Sequence, residues 1–327
     1  MLRVVVLWSL LVGMAGCGDD GAGSAGSGGT EQEGGAGSGG VDAAGPEAGA
    51  GGSGAHGESG AGGGSASDRS RCKRGVAYGH HSQADLQALS GAVSWWYNWG
   101  FVPDDDVMAT YEGLGVEYVP MVWGEAFVDV SKVTAAIPEG ARTLLGFNEP
   151  NFFSQANLSA KEAAALWPSL EQIAEERGLA LASPAVNFCG GGCHDTDPVR
   201  YLQDFFAACP GCRVDAIAVH VYVGCTPDGP NRAKWLIEKV EGYKAAFTQP
   251  LWVTEFACDD AATMDEQRAF LEDAVTWLEG EPRVQRYAWF SGRADNMQNV
   301  DLLGPDGKLT VIGQAYVSLP QPEECIR

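Results

Sequence analysis

Thr143-Leu-Leu-Gly-Phe-Asn-Glu-Pro-Asn151 decides the fold. Residues 143–148 form a continuous, mainly apolar run rather than an alternating one, which suits a strand buried on both faces of a parallel sheet. Downstream, Ser159-Ala-Lys-Glu162 is a capping-box pattern, and it predicts a helix over 159–177. The same strand-then-helix unit recurs along the chain. Further strands are expected at 74–79, 93–98, 116–123, 179–184, 214–220, 251–256 and 286–290. Helices are expected at 83–89, 104–114 (with Pro103 as a start signal), 129–137, 197–208, 232–247 and 265–279. Eight strands with intervening helices in about 250 residues fit a single (β/α)8 TIM barrel. A doubly wound open sheet would bring a Gly-rich phosphate loop after the first strand; Gly75 and Gly79 do not form one, so nucleotide binding is not expected.

The barrel is preceded by very different sequence. The chain has 327 residues, 45 glycines and 9 cysteines. About half of the glycines fall in 18–71, a stretch without Leu, Ile, Phe, Trp or Tyr. Such a segment cannot bury enough apolar surface to offset the entropy of ordering, so a disordered linker is expected there. It has no Gly-X-Y period, which excludes collagen. Residues 1–17 read as an export signal: Arg3, an apolar run from Val4 to Met14, then Ala15-Gly16-Cys17. The run is too short to span a bilayer. Small residues before a cysteine resemble a bacterial lipobox, so Cys17 is the expected lipidation site and the protein is expected to be exported to the cell envelope or secreted. An ordinary signal peptide cut near Ala15 or Gly16 is the alternative. The folded domain is then 72–327.

Charge and cysteines narrow the function. A formal net charge of -22 disfavours nucleic acid, whose phosphates need clustered Lys and Arg. For the same reason membrane contact is expected only through the lipid anchor. Assigning Cys17 to a lipid leaves Cys72, Cys189, Cys193, Cys209, Cys212, Cys225, Cys258 and Cys325. In an exported protein an even set reads as disulfides, although eight cysteines allow 105 pairings. Pairing Cys72 with Cys325 brackets the domain; Cys189–Cys193, Cys209–Cys212 and Cys225–Cys258 complete one scheme. A zinc site from Cys189, Cys193, His194, Cys209 and Cys212 is the rival.

In a barrel, active residues sit at the C-terminal ends of strands. Glu149 and Glu255 each follow an apolar strand core, in company with aromatics. Paired carboxylates across a cleft are the apparatus for cleaving a glycosidic bond: one donates a proton to the leaving oxygen, the other attacks the anomeric carbon. Mutual repulsion and different surroundings separate their pKa values. Asn148 is placed to hydrogen-bond a sugar 2-hydroxyl. Trp99, Trp123, Tyr222 and Trp289 are candidates to stack on pyranose faces, with core packing as the alternative for each. The Tyr222 hydroxyl could also orient Glu255, and His220 could bond a catalytic carboxylate or a sugar hydroxyl. His80 and His81 are a possible cleft lining, but a third metal ligand is missing, so no metal or other cofactor is expected. Ser183 lacks a Gly-x-Ser-x-Gly context, which argues against a serine hydrolase.

Phe147-Asn-Glu-Pro-Asn151, Trp95-Trp-Tyr-Asn-Trp-Gly100, Pro120-Met-Val-Trp123, His220-Val-Tyr222, Trp252-Val-Thr-Glu-Phe256 and Tyr287-Ala-Trp-Phe290 resemble the strand-end motifs of glycoside hydrolase family 128. The resemblance spans about 73–319 and implies a β-1,3-glucanase on a (β/α)8 barrel. It implies Glu149 as general acid/base, Glu255 as nucleophile, and retaining hydrolysis of β-1,3-glucan without a metal. A monomer is expected. Two other readings remain at this point: a retaining glycosidase for another β-linked polysaccharide, and a non-catalytic glucan-binding lipoprotein.

Overall fold

The computed structural model describes residues 72–79, 81–225 and 229–326. The expected leader 1–17 with Cys17, the linker 18–71 and His80 lie outside the described residues. The elements run β1 (Arg74–Ala77), α1 (Gln83–Leu89), β2 (Trp95–Tyr97), β3 (Glu117–Tyr118), α2 (Val130–Ala136), β4 (Thr143–Leu145), α3 (Ala160–Arg177), β5 (Ala180–Ala182), α4 (Pro198–Ala208), β6 (Ile217–Val223), α5 (Lys234–Ala246), β7 (Leu251–Cys258), α6 (Met264–Gly280), β8 (Val284–Phe290) and α7 (Val311–Ser318). Each strand falls at an expected position.

Helix starts follow side-chain capping. Ser82, Ser159 and Thr263 each accept the backbone N–H three residues on, and the acid there returns a bond to the cap. α3 ends on Gly178 at φ +66°, a left-handed conformation that glycine adopts without penalty. One expectation needs correction. Residues 104–114 form a chain of turns rather than a helix, with three- and four-residue hydrogen bonds alternating from Asp104 to Thr110. Three consecutive aspartates, then Thr110, Tyr111 and Gly113, give that segment weak intrinsic helicity. α7 is an additional helix, capped by Thr310.

All strand pairings are parallel. Six strands lie in the order β3-β2-β1-β8-β7-β6, and β4 pairs with β5. Parallel bridges Met121–Leu145, Ala182–Ala216 and Val186–Val219 join the pair to both edges of the six. The architecture is thus α/β, with parallel strands and seven α-helices among the described residues.

Strand parity sorts the side chains into two layers. One cluster holds small residues such as Ala77, Ala182, Ala218 and Ala288 against Trp95, Tyr97, Trp252 and Phe290. The other holds the alternate positions, Val76, Trp96, Val219, Tyr287 and Trp289, with apolar helix residues such as Leu271 and Tyr316. The first layer is tight: a Cβ on Gly75 would come within 2.3 Å of the Trp95 indole.

The strand N-terminal ends are tied by cations. Arg74 is fully buried. Its Nε donates to Tyr287 Oη (3.0 Å), Nη1 to the carbonyls of Tyr316 (2.8 Å) and Leu319 (3.0 Å), and Nη2 to Glu279 Oε1 (3.1 Å) and the Pro320 carbonyl (2.9 Å). Lys73 Nζ reaches three carbonyls at the end of α6, those of Leu278, Glu279 and Glu281, at 2.8–3.1 Å, where the helix dipole favours a cation. Beside them a disulfide joins Cys72 to Cys325, with Cα atoms 5.6 Å apart. The other bonds are Cys189–Cys193, Cys209–Cys212 and Cys225–Cys258. All eight cysteines considered for zinc or disulfides are therefore paired, which removes the zinc alternative.

Candidate active site

Glu149 stands just beyond β4 with φ +39°, a strained value for a residue with a side chain. Two backbone bonds hold it there, from its own N–H to the Ala185 carbonyl (2.7 Å) and from the Phe152 N–H to its carbonyl (2.9 Å). Glu255 lies inside β7. The register of β7 against β8 shifts between Val253 and Phe256. Both of those flanking side chains pack in the layer shared with the helices. The irregularity lets Glu255 point the opposite way, towards Tyr97 and Tyr222; re-aiming a side chain is a common use of a bulge.

The two carboxylates converge on His220. Its Nδ1 lies 3.0 Å from Glu149 Oε1 and 3.4 Å from Glu255 Oε2. One ligand atom from each of Glu149, His220 and Glu255 falls within 4.8 Å of the others. All three are buried. Beyond this shared contact their surroundings diverge. Glu255 Oε1 accepts from Tyr97 Oη (2.8 Å) and Trp99 Nε1 (2.7 Å), and Oε2 accepts from Tyr222 Oη (2.5 Å). Glu149 Oε1 accepts from Asn187 Nδ2 at 2.9 Å.

Burial pushes the Glu255 carboxyl above its usual range; His220 opposes that rise and the Glu149 charge adds to it, while the Tyr222 and Trp99 donors pull it back. Burial alone would lower the His220 imidazole, but the Glu255 and Glu149 charges overcome it and hold the ring above its ordinary value. Tyr97 and Tyr222 are raised well above theirs, by burial first and then by the Glu255 charge, so both remain O–H donors. The trio has metal-ligand chemistry and spacing. Both oxygens of Glu255 already accept O–H or N–H donors, which favours its ionised form.

The structure brings Glu149, Glu255, His220, Tyr222 and Trp99 into one network. Asn148 is adjacent and fully buried; its Nδ2 donates to Gln155 Oε1 at 3.3 Å. Trp123 is half-buried against the layer of Trp95, Tyr97 and Phe290, edge-on to Phe127. Trp289 is not brought to the site. It is fully buried against Phe256, Phe270 and Tyr316, with its indole N–H on the Val300 carbonyl. Its neighbour Phe290 faces the site instead, edge-on to Trp99 and Tyr222. Three residues of the site escaped the sequence reading: Tyr97, Asn187 and Phe290. For Tyr97 and Phe290, strand parity carried a usable signal; for Asn187, which sits in a loop beyond β5, none was present.

The chain matches the glycosyl hydrolase catalytic core family over residues 75–316. It is 62% identical to an endo-β-1,3-glucanase of glycoside hydrolase family 128, subgroup II, from Sorangium cellulosum, with a TM-score of 0.75 over 76% of this chain and 99% of that one. The protein belongs to glycoside hydrolase family 128. A more distant family 128 structure, a subgroup I endo-β-1,3-glucanase from Amycolatopsis mediterranei in complex with laminaritriose, is 29% identical with a TM-score of 0.61, over 75% of this chain and 98% of that one. The alkali-sensitive linkage protein 1 of Schizosaccharomyces pombe is 27% identical over 260 residues, which cover 75% of this chain but only 44% of the yeast protein. Family 128 membership makes the chain a glycoside hydrolase.

Proposed function

We propose that the protein is an endo-β-1,3-glucanase that cleaves with retention of anomeric configuration, on a closed (β/α)8 barrel. Glu149 protonates the departing glycosidic oxygen, Glu255 attacks the anomeric carbon to form a glycosyl-enzyme, and Glu149 then activates water. The observation that carries this reading is the proximity of the two carboxylates: an oxygen of each lies within 4.8 Å of the other. Retaining enzymes hold the two groups about 5–5.5 Å apart, whereas inversion needs roughly 6.5–9.5 Å to admit a water. The donor sets support the division of roles. Three O–H and N–H donors stabilise negative charge on Glu255, as a nucleophile requires. Glu149 has an oxygen, Oε2, that no donor among the described residues reaches. Internal cleavage of β-1,3-glucan is the activity named for the 62% identical relative.

Asn148, Tyr222, His220, Trp99 and Trp123 form the proposed sugar-facing surroundings of the pair. We further propose export, a lipid on Cys17, and a monomer acting on glucan outside the cytoplasm, where the four disulfides persist. Laminarin incubated with the protein should release oligosaccharides. Proton NMR of the first products should show the β-anomer before mutarotation. Initial α-anomer would overturn retention; absence of hydrolysis over a panel of β-linked polysaccharides would overturn the enzyme reading. Intact-mass analysis of the membrane-extracted protein tests the diacylglyceryl adduct at Cys17.

A further inference from the structure

The loop that carries the Cys189–Cys193 disulfide is stitched to the segment just after Glu149. Asn151, fully buried, donates from Nδ2 to the carbonyls of Asn187 (2.8 Å) and Asp195 (3.1 Å). In return the His194 N–H donates to the Asn151 carbonyl (2.7 Å), and the Phe153 N–H to the Gly192 carbonyl (3.1 Å). Phe152 and Cys193 form an antiparallel bridge. The outcome of this stitching is one side-chain contact inside the site: the Asn187 amide is delivered to Glu149 Oε1 at 2.9 Å.

Oε1 is thereby fully engaged. It faces Asn187 Nδ2 and His220 Nδ1 (3.0 Å) at once. Two carboxylate oxygens face His220 Nδ1 and, among the described residues, none faces Nε2, which places a ring proton on Nδ1; an oxygen accepting from that N–H and from Asn187 has both lone pairs engaged. Among the described residues no donor reaches Oε2. We propose that Asn187 is a positioning residue that makes Oε1 a permanent acceptor, so that the carboxyl proton travels on Oε2, the oxygen left to meet the glycosidic bond. The disulfide loop is the brace that keeps the amide in place. The strained φ of Glu149 gives the brace its purpose: a side chain on an unfavourable backbone turns away unless its surroundings fix it. The inference rests on the acid/base reading of Glu149.

The test compares substrates that differ in their need for a proton. Asn187→Leu keeps the shape and removes the donor; Asn187→Asp sets an acceptor against an acceptor. With laminari-oligosaccharides, both should lose about tenfold to hundredfold in kcat/KM, the usual consequence of losing a hydrogen bond to a charged group. With a 2,4-dinitrophenyl β-laminaribioside, whose leaving group departs without protonation, kcat/KM should stay within about threefold of wild type. On that substrate kcat and KM should fall together as the glycosyl-enzyme accumulates. The double variant Cys189→Ser/Cys193→Ser should show the same substrate dependence at smaller amplitude, and a wild-type ratio there overturns the brace. Equal losses on both substrates at position 187, or none on either, overturn the positioning role. Glu149→Gln separates this inference from its foundation. If that variant hydrolyses oligosaccharides normally, the acid/base reading itself fails. If it loses them but keeps the aryl substrate, only the Asn187 result decides.

Discussion

Two buried polar clusters sit at opposite ends of the strands, and they are built on opposite principles. At the N-terminal ends, Arg74 uses every one of its N–H donors on a tyrosine, a glutamate or a carbonyl. At the C-terminal ends, two acids share one imidazole, and among the described residues His220 Nε2, Asn148 Oδ1 and Asn187 Oδ1 have no partner at all. An unsatisfied buried polar atom costs about 1–3 kcal/mol. The first cluster thus leaves no Arg74 donor unsatisfied. The second gathers two acids around one imidazole, with hydrogen-bonding capacity to spare, and natural proteins tolerate such local violations at functional sites.

The sharpest way to test this contrast is to separate activity from stability. Glu255→Gln should cut laminarin hydrolysis by about 10⁴-fold or more, as loss of a nucleophile does, while the thermal midpoint stays level or rises because a buried charge is gone. A parallel drop in the midpoint would erase the distinction between the clusters. Arg74→Met should do the reverse. Breaking a buried, paired charge costs about 3–5 kcal/mol, seen in urea unfolding, with kcat of the folded fraction unchanged.

Tyr222→Phe probes the upper cluster more finely. The Tyr222 donor lowers the Glu255 pKa, and removing it lets burial act with less opposition. In the proposed mechanism Glu255 attacks as the ionised group, so activity should be lost as pH falls through its pKa. The acid limb of kcat/KM should therefore move up in pH relative to wild type, and the plateau should drop about tenfold. A limb that moved down would overturn the assignment of Glu255 as the ionised partner. Smallest of all, Trp289→Phe should cost about 1–2 kcal/mol through lost packing and the lost bond to Val300, with KM for laminarin unchanged.

That last residue also shows how far a linear reading reaches. The eight strands were legible because each is a short apolar run, and α1 matched its expected span because Ser82 and Asp85 spell its start. Glu149 and Glu255 stood out because an acid directly after such a run is costly unless used. Trp289 and Phe290 are adjacent, so a one-residue error in parity exchanges core for cleft; their ring contacts decide which is which. The turn of Glu255 out of the parity of Val253 depends on a bulge that no local motif announces. Asn187 reaches Glu149 across 38 residues of sequence, so only the assembled fold reveals it.

The Cys72–Cys325 bond has a mechanical corollary. It spans 253 residues, turning the folded part into a covalent ring with its entry and exit at a single point. A pull applied between the two ends of the chain passes through the sulfur bridge and bypasses every strand. Roughly 850 Å of contour, at about 3.4 Å per residue, stays hidden from the load. A single protease cut anywhere in the ring likewise opens it without releasing a fragment.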